Sequence, residues 1–319
     1  MTADKSNGSE NSIQHAESLI IGGGPTGLAA ALYAARAQLE PVVLTGMAIG
    51  GQAALTHIIE NYPGFPEGLP GPELGELFKE QAERFGAQIV FDTATEVDLS
   101  EKPYKVKTYS GEYSADTIII ATGATPRYLG VPGEEDFTGR GVSYCGTCDG
   151  FFFKDKDVVV VGGGDSAMEE GEFLTRFADK VTVVHRRDEL RASKILQERA
   201  FNNEKIDFIW DTVVNKIEGD EAVTQVELEN KKTGNKSSYG TDGVFIFIGH
   251  TPNSELFDGQ LDRDDAGYLV VNKFMETNVP GVYAAGEVAD PHFRQVITSA
   301  GMGAAAAIQS VRYLQEHHS

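Results

Sequence analysis

The sequence predicts an α/β protein built from two strand–turn–helix frames of the same kind. Two observations predict it. Ser18-Leu19-Ile20-Ile21 reads as a short buried strand, runs straight into Gly22-Gly23-Gly24-Pro25-Thr26-Gly27, and is followed by an Ala- and Leu-rich helix over Leu28–Ala37. The pattern recurs as a strand over Asp157–Val161, the turn Gly162-Gly163-Gly164-Asp165-Ser166-Ala167, and a helix over Met168–Phe177. Gly22 precedes Thr45, at the end of the next strand, by 23 residues, and Gly162 precedes His185 by the same 23. In such turns the glycines let backbone approach a pyrophosphate, whose charge the helix N-terminus holds. A single glycine-rich turn is also an ordinary tight turn; two in βαβ frames of matching length point to two bound dinucleotides.

The bulk numbers set the class. A chain of 319 residues is long enough for two domains, and a hydrophobic fraction of 41% supports packed cores. Lys and Arg number 27 against 48 Asp and Glu, a net charge of −21, which argues against nucleic acid or an anionic membrane as a partner. No apolar run approaches the roughly 18–20 residues of a membrane helix. Met1 to Asn11 is polar, lacks an apolar signal core and is expected to be a disordered tail. The only two cysteines stand in Tyr144-Cys145-Gly146-Thr147-Cys148-Asp149-Gly150-Phe151-Phe152-Phe153. Without an export signal, such a pair points to a reducing compartment and a catalytic rather than a structural disulfide. Half of a zinc site is the competing reading, but structural zinc takes four Cys or His ligands and no second pair exists.

In chain order, Val42-Val43-Leu44 is the second strand of the first frame, and it ends in Thr45-Gly46 rather than in the acid that binds a ribose. Gly50-Gly51-Gln52 and Glu60-Asn61-Tyr62-Pro63-Gly64 are turn-forming. Gly71 opens an amphipathic helix to about Phe85, with Leu74, Leu77, Phe78 and Ala82 on one face. Gln88–Phe91 is a strand, Tyr104–Tyr109 and Gly111–Ser114 read as a hairpin, and Ile118–Ala121 is a strand ending in Thr122-Gly123-Ala124. Pro126 and Pro132-Gly133 mark a linker. In the second frame the strand Val181–Val184 ends in His185-Arg186-Arg187, with Arg191 close behind. Arginine there pairs bidentately with a ribose 2′-phosphate, although a solvated basic turn has the same composition. Asp207–Trp210, Val223–Leu228 and Gly243–Gly249 supply further strands, and His250-Thr251-Pro252-Asn253 is a second linker. Gly281–Val288 reads as a strand entering a turn with a carboxylate. From about Gln295 runs a long Ala-rich helix in which Gly301 and Gly303 are expected to permit close packing.

Taken as a set, the Cys-x-x-Cys-Asp-Gly stretch, the paired glycine turns and the His-Arg-Arg turn resemble those of the low-molecular-weight, bacterial-type thioredoxin reductases, class II of the pyridine nucleotide-disulfide oxidoreductases. The resemblance runs from about Ser18 to about Leu314. It implies two Rossmann-like nucleotide-binding domains: a discontinuous FAD-binding domain, 1–126 and 252–319 with 1–15 as disordered tail, and an inserted NADPH-binding domain, 127–251, carrying the cysteines. It implies FAD contacts at Gly22, Gly24, Pro25, Thr26 and Gly27, at Gly50, Gly51, Gln52 and Asn61, at Ala121, Thr122 and Gly123, at Gly286, Glu287 and Val288, and at Arg294, Gln295 and Val296. It implies NADPH contacts at Gly162, Gly164, Asp165, Ser166, Ala167, His185, Arg186, Arg187 and Arg191. The chain departs from the family at Gly146 of the usual Cys-Ala-Thr-Cys, where glycine is expected to loosen the disulfide loop. It also departs at Glu287, where the family has Asp, and at Val296, where a smaller residue is common.

The function implied is electron transfer from NADPH through FAD to the Cys145–Cys148 disulfide and on to oxidised thioredoxin, with Asp149 as the proton carrier. In the family one domain rotates against the other, the second cysteine faces the flavin and the first attacks the incoming disulfide. Phe151 and Phe152 are expected to dock thioredoxin, although adjacent aromatics are as often core. A cytoplasmic homodimer is expected, with no metal. The alternatives are a related flavin disulfide reductase with another substrate, a dithiol oxidase (against which the His-Arg-Arg turn argues) and a non-catalytic flavin- or zinc-binding module.

Overall fold

The computed structural model describes residues 13–56 and 58–317. The expected N-terminal tail lies outside the described residues up to position 12; beyond it the chain enters a strand at once. Two compact units are present. One comprises the chain up to Ile58, Tyr62–Thr125 and the chain from Pro252; the other comprises Ile59–Asn61 and Pro126–Thr251.

The first unit begins with β1 (Gln14–Ile21), α1 (Pro25–Arg36), β2 (Val42–Leu44), α2 (Gly71–Arg84) and β3 (Gln88–Val90), followed by β4 (Ala94–Asp98), β5 (Tyr104–Thr108), β6 (Glu112–Ile120) and the short β7 (Ala124–Pro126). β1 starts four residues before the predicted Ser18 because Gln14 and His15 pair in parallel with Tyr113 and Ser114. The predicted second hairpin arm and the Ile118 strand are one continuous strand, β6, whose first half pairs antiparallel with β5 and whose second half is central to the parallel sheet.

The second unit holds β8 (Val142–Ser143), the one-turn α3 (Gly146–Asp149), β9 (Asp157–Gly162), α4 (Asp165–Leu174), β10 (Lys180–Val184), α5 (Lys194–Asn202), β11 (Ile206–Ile209), the antiparallel β12 (Thr212–Gly219), β13 (Val223–Asn230) and β14 (Lys236–Gly240), then β15 (Gly243–Phe247) and β16 (His250–Pro252). The chain closes in the first unit with β17 (Val282–Ala284) and α6 (Val296–His317).

Sheet order in the first unit is β3-β2-β1-β6-β5-β4, with β17 also on β6; in the second it is β11-β10-β9-β15-β8, all parallel. Both parallel sheets are buried on two faces, which is why their strands read as unbroken apolar runs. In β1, Leu19 and Ile21 enter one core with Val42, Leu44, Ile118 and Ile120, while Ile20 enters the other with Val43, Ile119 and the alanines of α1 and α6. In β9, Val158 and Val160 pack against Met168 and Leu174 of α4, whereas Val159 and Val161 face Val214, Val226 and Leu228 of the antiparallel sheet. Burying one such side chain contributes about 1.5–3 kcal/mol.

Small residues let α6 approach α1 closely. A Cβ at Gly303 would overlap the Thr26 carbonyl oxygen. Gly301 departs from expectation: it is exposed and a Cβ there would meet nothing within 4 Å, because it lies on the opposite side of the helix from that contact.

Candidate active site

The first glycine turn is a surface of bare backbone. β1 delivers Gly22 at φ +127°, where a Cβ would overlap the Ala121 carbonyl oxygen, and a Cβ at Gly27 would overlap the Gly22 oxygen. Only glycine permits this path. Gly24 caps α1 with extended backbone, no side chain caps the helix, Pro25 occupies its first turn, and that turn holds no acid. The donors of the helix start are thus left for an anion. A Cβ on Gly24 would find its nearest neighbour, Gly51 Cα, at 3.9 Å, so the 3₁₀ turn Gly51–Leu55 carrying exposed Gln52 lies beside the fingerprint. Thr45, where a ribose-binding acid would stand, is buried and its hydroxyl lies 3.1 and 3.2 Å from the Gly46 and Val90 carbonyl oxygens, to which it donates.

The C-terminal part of the unit returns to the same place. Gly286 has φ +72° and a Cβ there would overlap Thr26 Oγ1, so the turn Gly286–Val288 rests on the first turn of α1. Burial pushes the Glu287 carboxyl up, and nearby Arg294 partly offsets this. Arg294 itself adopts φ +50° before α6, and the Gln295 carbonyl accepts from Ser299 N and Thr298 Oγ1, both at 2.9 Å. Thr122 and Gly123 are held by Asn253: Thr122 Oγ1 donates to the Asn253 carbonyl at 2.7 Å, and Asn253 Nδ2 donates to the Thr122 carbonyl at 2.9 Å. The structure therefore brings the Gly22–Gly27, Gly51, Thr122 and Gly286 segments together. Asn61 falls instead in 59–61, the stretch grouped with the second unit.

The cysteines lie in the second unit. Cys145 and Cys148 form a disulfide, S–S 2.04 Å, across the start of α3. Cys145 Sγ accepts the Cys148 N–H at 3.2 Å. Ser143 Oγ donates to Asp149 Oδ2 at 2.6 Å and accepts the Cys145 N–H at 3.1 Å. Burial pushes the Asp149 carboxyl up, and the Ser143 hydrogen bond partly offsets this. A carboxyl raised in this way keeps its proton to higher pH than a free one, which suits a proton carrier next to Cys148 in the chain. On the strand side, Tyr144 donates to buried Glu134 at 3.0 Å.

The three phenylalanines divide. Phe151 and Phe152 are 55% and 38% exposed, and Phe151 stands edge-on to Phe177 with centroids 6.0 Å apart. Phe153 turns inward against Phe245 at 4.9 Å. Ser143, Glu134 and the α4 carboxylate Glu170, whose Oε2 accepts the Thr147 N–H at 3.2 Å, were not singled out from the sequence. No sequence signal points to these three, because each reaches the redox turn only through the fold.

In that fingerprint, Gly164 is open, with nothing within 4 Å of a Cβ position, and α4 again lacks a side-chain cap. Asp165 is spent on structure: its Oδ1 accepts the Ser193 N–H at 2.6 Å. The Gly163 carbonyl accepts Arg191 N at 2.7 Å, which folds the basic loop back onto the turn. Arg186, Arg187 and Arg191 are exposed, whereas His185 is 5% exposed and lies under Gly163, where a Cβ would overlap its ring. Burial lowers the proton affinity of His185, so it stands as a neutral support beneath the turn.

The family model described as pyridine nucleotide-disulphide oxidoreductase matches residues 16–303. The chain is 53% identical over 300 residues to a thioredoxin reductase of Mycolicibacterium smegmatis, covering 93% of this chain and 96% of that one. It is 49% identical over 303 residues to a thioredoxin reductase of Peptoclostridium litorale, with the same coverage. Its fold is similar to the crystal structure of thioredoxin reductase from Streptococcus pyogenes MGAS5005, with a TM-score of 0.91 and 46% identity over 96% of this chain and 100% of that one. The chain belongs to the pyridine nucleotide-disulphide oxidoreductase family.

Proposed function

We infer that this protein is an NADPH-dependent thioredoxin reductase. The observation that carries the reading is the Cys145–Cys148 disulfide with half-buried Asp149 next to Cys148 in the chain, in the unit that also presents the exposed arginine turn. FAD fits the first unit, where bare glycine backbone, an uncapped helix start and the Glu287–Arg294 pair leave a cradle that side chains would fill. When bound, it supplies a two-electron carrier between nicotinamide and disulfide. The residues to hold it are Gly22, Gly24, Pro25, Thr26 and Gly27, Gly51 and Gln52, Ala121 to Gly123, and Gly286, Glu287, Arg294, Gln295 and Val296. Asn61 is retained on the resemblance alone.

NADPH is the electron donor. Gly162, Gly164, Ser166 and Ala167 shape its pyrophosphate turn, and Arg186, Arg187 and Arg191 take the 2′-phosphate. His185 and Asp165 hold that turn in shape.

Two electrons and two protons convert the Cys145–Cys148 disulfide to a dithiol, and Asp149 carries one of the protons. Cys145 is the attacking thiol, because the Cys148 N–H that its sulfur accepts favours a thiolate there. Its thiolate displaces one sulfur of the thioredoxin disulfide and forms a mixed disulfide. Cys148 then attacks Cys145 Sγ, releasing reduced thioredoxin and restoring the Cys145–Cys148 bond. Phe151 and Phe152 form part of the docking face. The reading extends to a homodimer working in the cytoplasm, where two redox cysteines suit a reducing compartment; no helix among the described residues is long and apolar enough to cross a membrane.

The test is NADPH consumption with thioredoxins from the same organism. Thioredoxin-dependent turnover is expected; consumption that needs no disulfide substrate would overturn the reading. Light scattering that returned the 34.4 kDa monomer mass would refute the dimer.

A further inference from the structure

Glu170 approaches the redox turn from outside it. It belongs to α4, and its Oε2 accepts the Thr147 N–H, from the residue between the two cysteines, at 3.2 Å. The approach depends on Gly146. A Cβ there would stand 2.5 Å from Glu170 Oε2 and 3.6 Å from Glu170 Cβ. Glycine at this position therefore leaves the space that the carboxylate occupies. The atom in the way is the far end of a flexible side chain, so a methyl group at 146 would push the carboxylate aside without breaking the turn.

We propose that Glu170 is a positioning residue that holds a negative charge against the Cys145–Cys148 turn and raises the proton affinity of its thiols, and that Gly146 is the residue that admits it. The proposal rests on the reading of these cysteines as the working redox pair. Cys145 Sγ takes its backbone hydrogen bond from Cys148 N, next along the chain from the N–H that Glu170 occupies. A carboxylate held on the backbone between the two cysteines repels a thiolate there, so the thiol keeps its proton to higher pH. The ionisable groups hydrogen-bonded to this stretch include Asp149 through Ser143, Glu134 through Tyr144, and Glu170 of α4 through the Thr147 N–H. Of these, Glu170 alone bonds the backbone between the two sulfurs. The chemical consequence is a restrained attacking thiol: less thiolate at neutral pH, but a thiolate more nucleophilic once formed.

The test is the pH dependence of iodoacetamide alkylation of the reduced, flavin-loaded protein in a Cys148→Ser background, where Cys145 is the one thiol. Glu170→Gln retains an acceptor for Thr147 N–H and removes the charge. It is expected to lower the alkylation midpoint by about half to one pH unit. Gly146→Ala, which displaces the carboxylate by a different route, is expected to lower it in the same direction. The two together are expected to give less than the sum, because both act on one contact. An unchanged or raised midpoint in Glu170→Gln, with thermal unfolding unaltered, would overturn the proposal and leave Glu170 a structural cap. Additive shifts would overturn the part assigned to Gly146. Wild type that is inactive with every thioredoxin would count against the proposed function instead, since the midpoint is read without turnover.

Discussion

Ser143 Oγ donates to Asp149 Oδ2 at 2.6 Å while accepting the Cys145 N–H at 3.1 Å, so one hydroxyl ties the half-buried carboxyl to the backbone of the first cysteine. Burial raises the Asp149 carboxyl and this bond, which favours the ionised form, lowers it. Ser143→Ala removes the lowering part. The limb of the pH profile of kcat/KM for thioredoxin that reports Asp149 is therefore expected to move to higher pH. Asp149→Asn is expected to lower turnover about 10²–10⁴-fold. The stability sign follows from the raised carboxyl: its contribution is present below the unfolded value and is lost as pH rises through the folded one. Urea midpoints of Asp149→Asn should thus fall less with rising pH than those of wild type. A profile limb unmoved in Ser143→Ala would remove Asp149 from the proton path.

The contrast between Ser143 and Asp149 shows what the sequence exposes and what it hides. Asp149 adjoins Cys148 and was readable; Ser143 matters only because β8 and the turn after it bring its hydroxyl back over α3. Glu170 is hidden the same way, since α4 packs across α3 from beyond a strand. The parallel strands were legible because burial on both faces makes them continuously apolar, as in Val158–Val161. β12 and β14 are not, because β12 interrupts its apolar residues with Asn215 and Lys216, and β14 is exposed except at half-buried Tyr239, so neither forms an apolar run. α5, Lys194–Asn202, buries only Leu196 and Ala200 and has no capping side chain, so its period was too sparse to read. His185 was legible as a member of the basic turn but not as its support, because burial beneath Gly163 arises from the fold.

Coenzyme choice is expected to reside in the exposed arginines rather than in His185. Arg186→Ala combined with Arg187→Ala should raise the NADPH Michaelis constant about 10²–10³-fold, with NADH little affected, given charge-assisted bonds of about 1.5–3 kcal/mol each. Steady-state kinetics with both coenzymes check this. Equal use of NADH and NADPH by wild type would show that the turn does not read the phosphate.

The two glycines of α6 are expected to respond oppositely to alanine. At Gly303 a Cβ would overlap the Thr26 carbonyl oxygen, so α6 must move from α1, at a cost of about 1–3 kcal/mol. The same shift disturbs the first turn of α1 beside Gly286, and flavin retention should fall with it. At exposed Gly301 alanine meets nothing and gains up to about 1 kcal/mol of helix propensity. Thermal unfolding of the two variants, read with flavin absorbance, gives the comparison. A Gly303→Ala protein as stable as wild type would mean that the α1–α6 contact is looser than it stands here.

The last prediction separates the two cysteines. Cys145 lies just before α3 and its sulfur accepts the Cys148 N–H, while Cys148 is within the turn and adjoins Asp149. Freed from the disulfide, a Cys145 thiolate keeps that N–H as a donor, and donors to the charged form favour it. Cys145 is therefore expected to attack thioredoxin, and Cys148 to resolve the mixed disulfide with Asp149 managing its proton. In Cys148→Ser the resolving thiol is gone, so thioredoxin lacking its own resolving cysteine should be captured by Cys145 as a stable adduct on a non-reducing gel. In Cys145→Ser capture should be far weaker. Both variants should lose thioredoxin turnover while NADPH still bleaches the flavin absorbance, since that reaction uses neither sulfur. Capture by Cys145→Ser alone would reverse the assignment. Loss of bleaching in both would mean that the pair supports cofactor binding rather than the path of electrons, and an unchanged unfolding midpoint would then exclude simple misfolding as the cause.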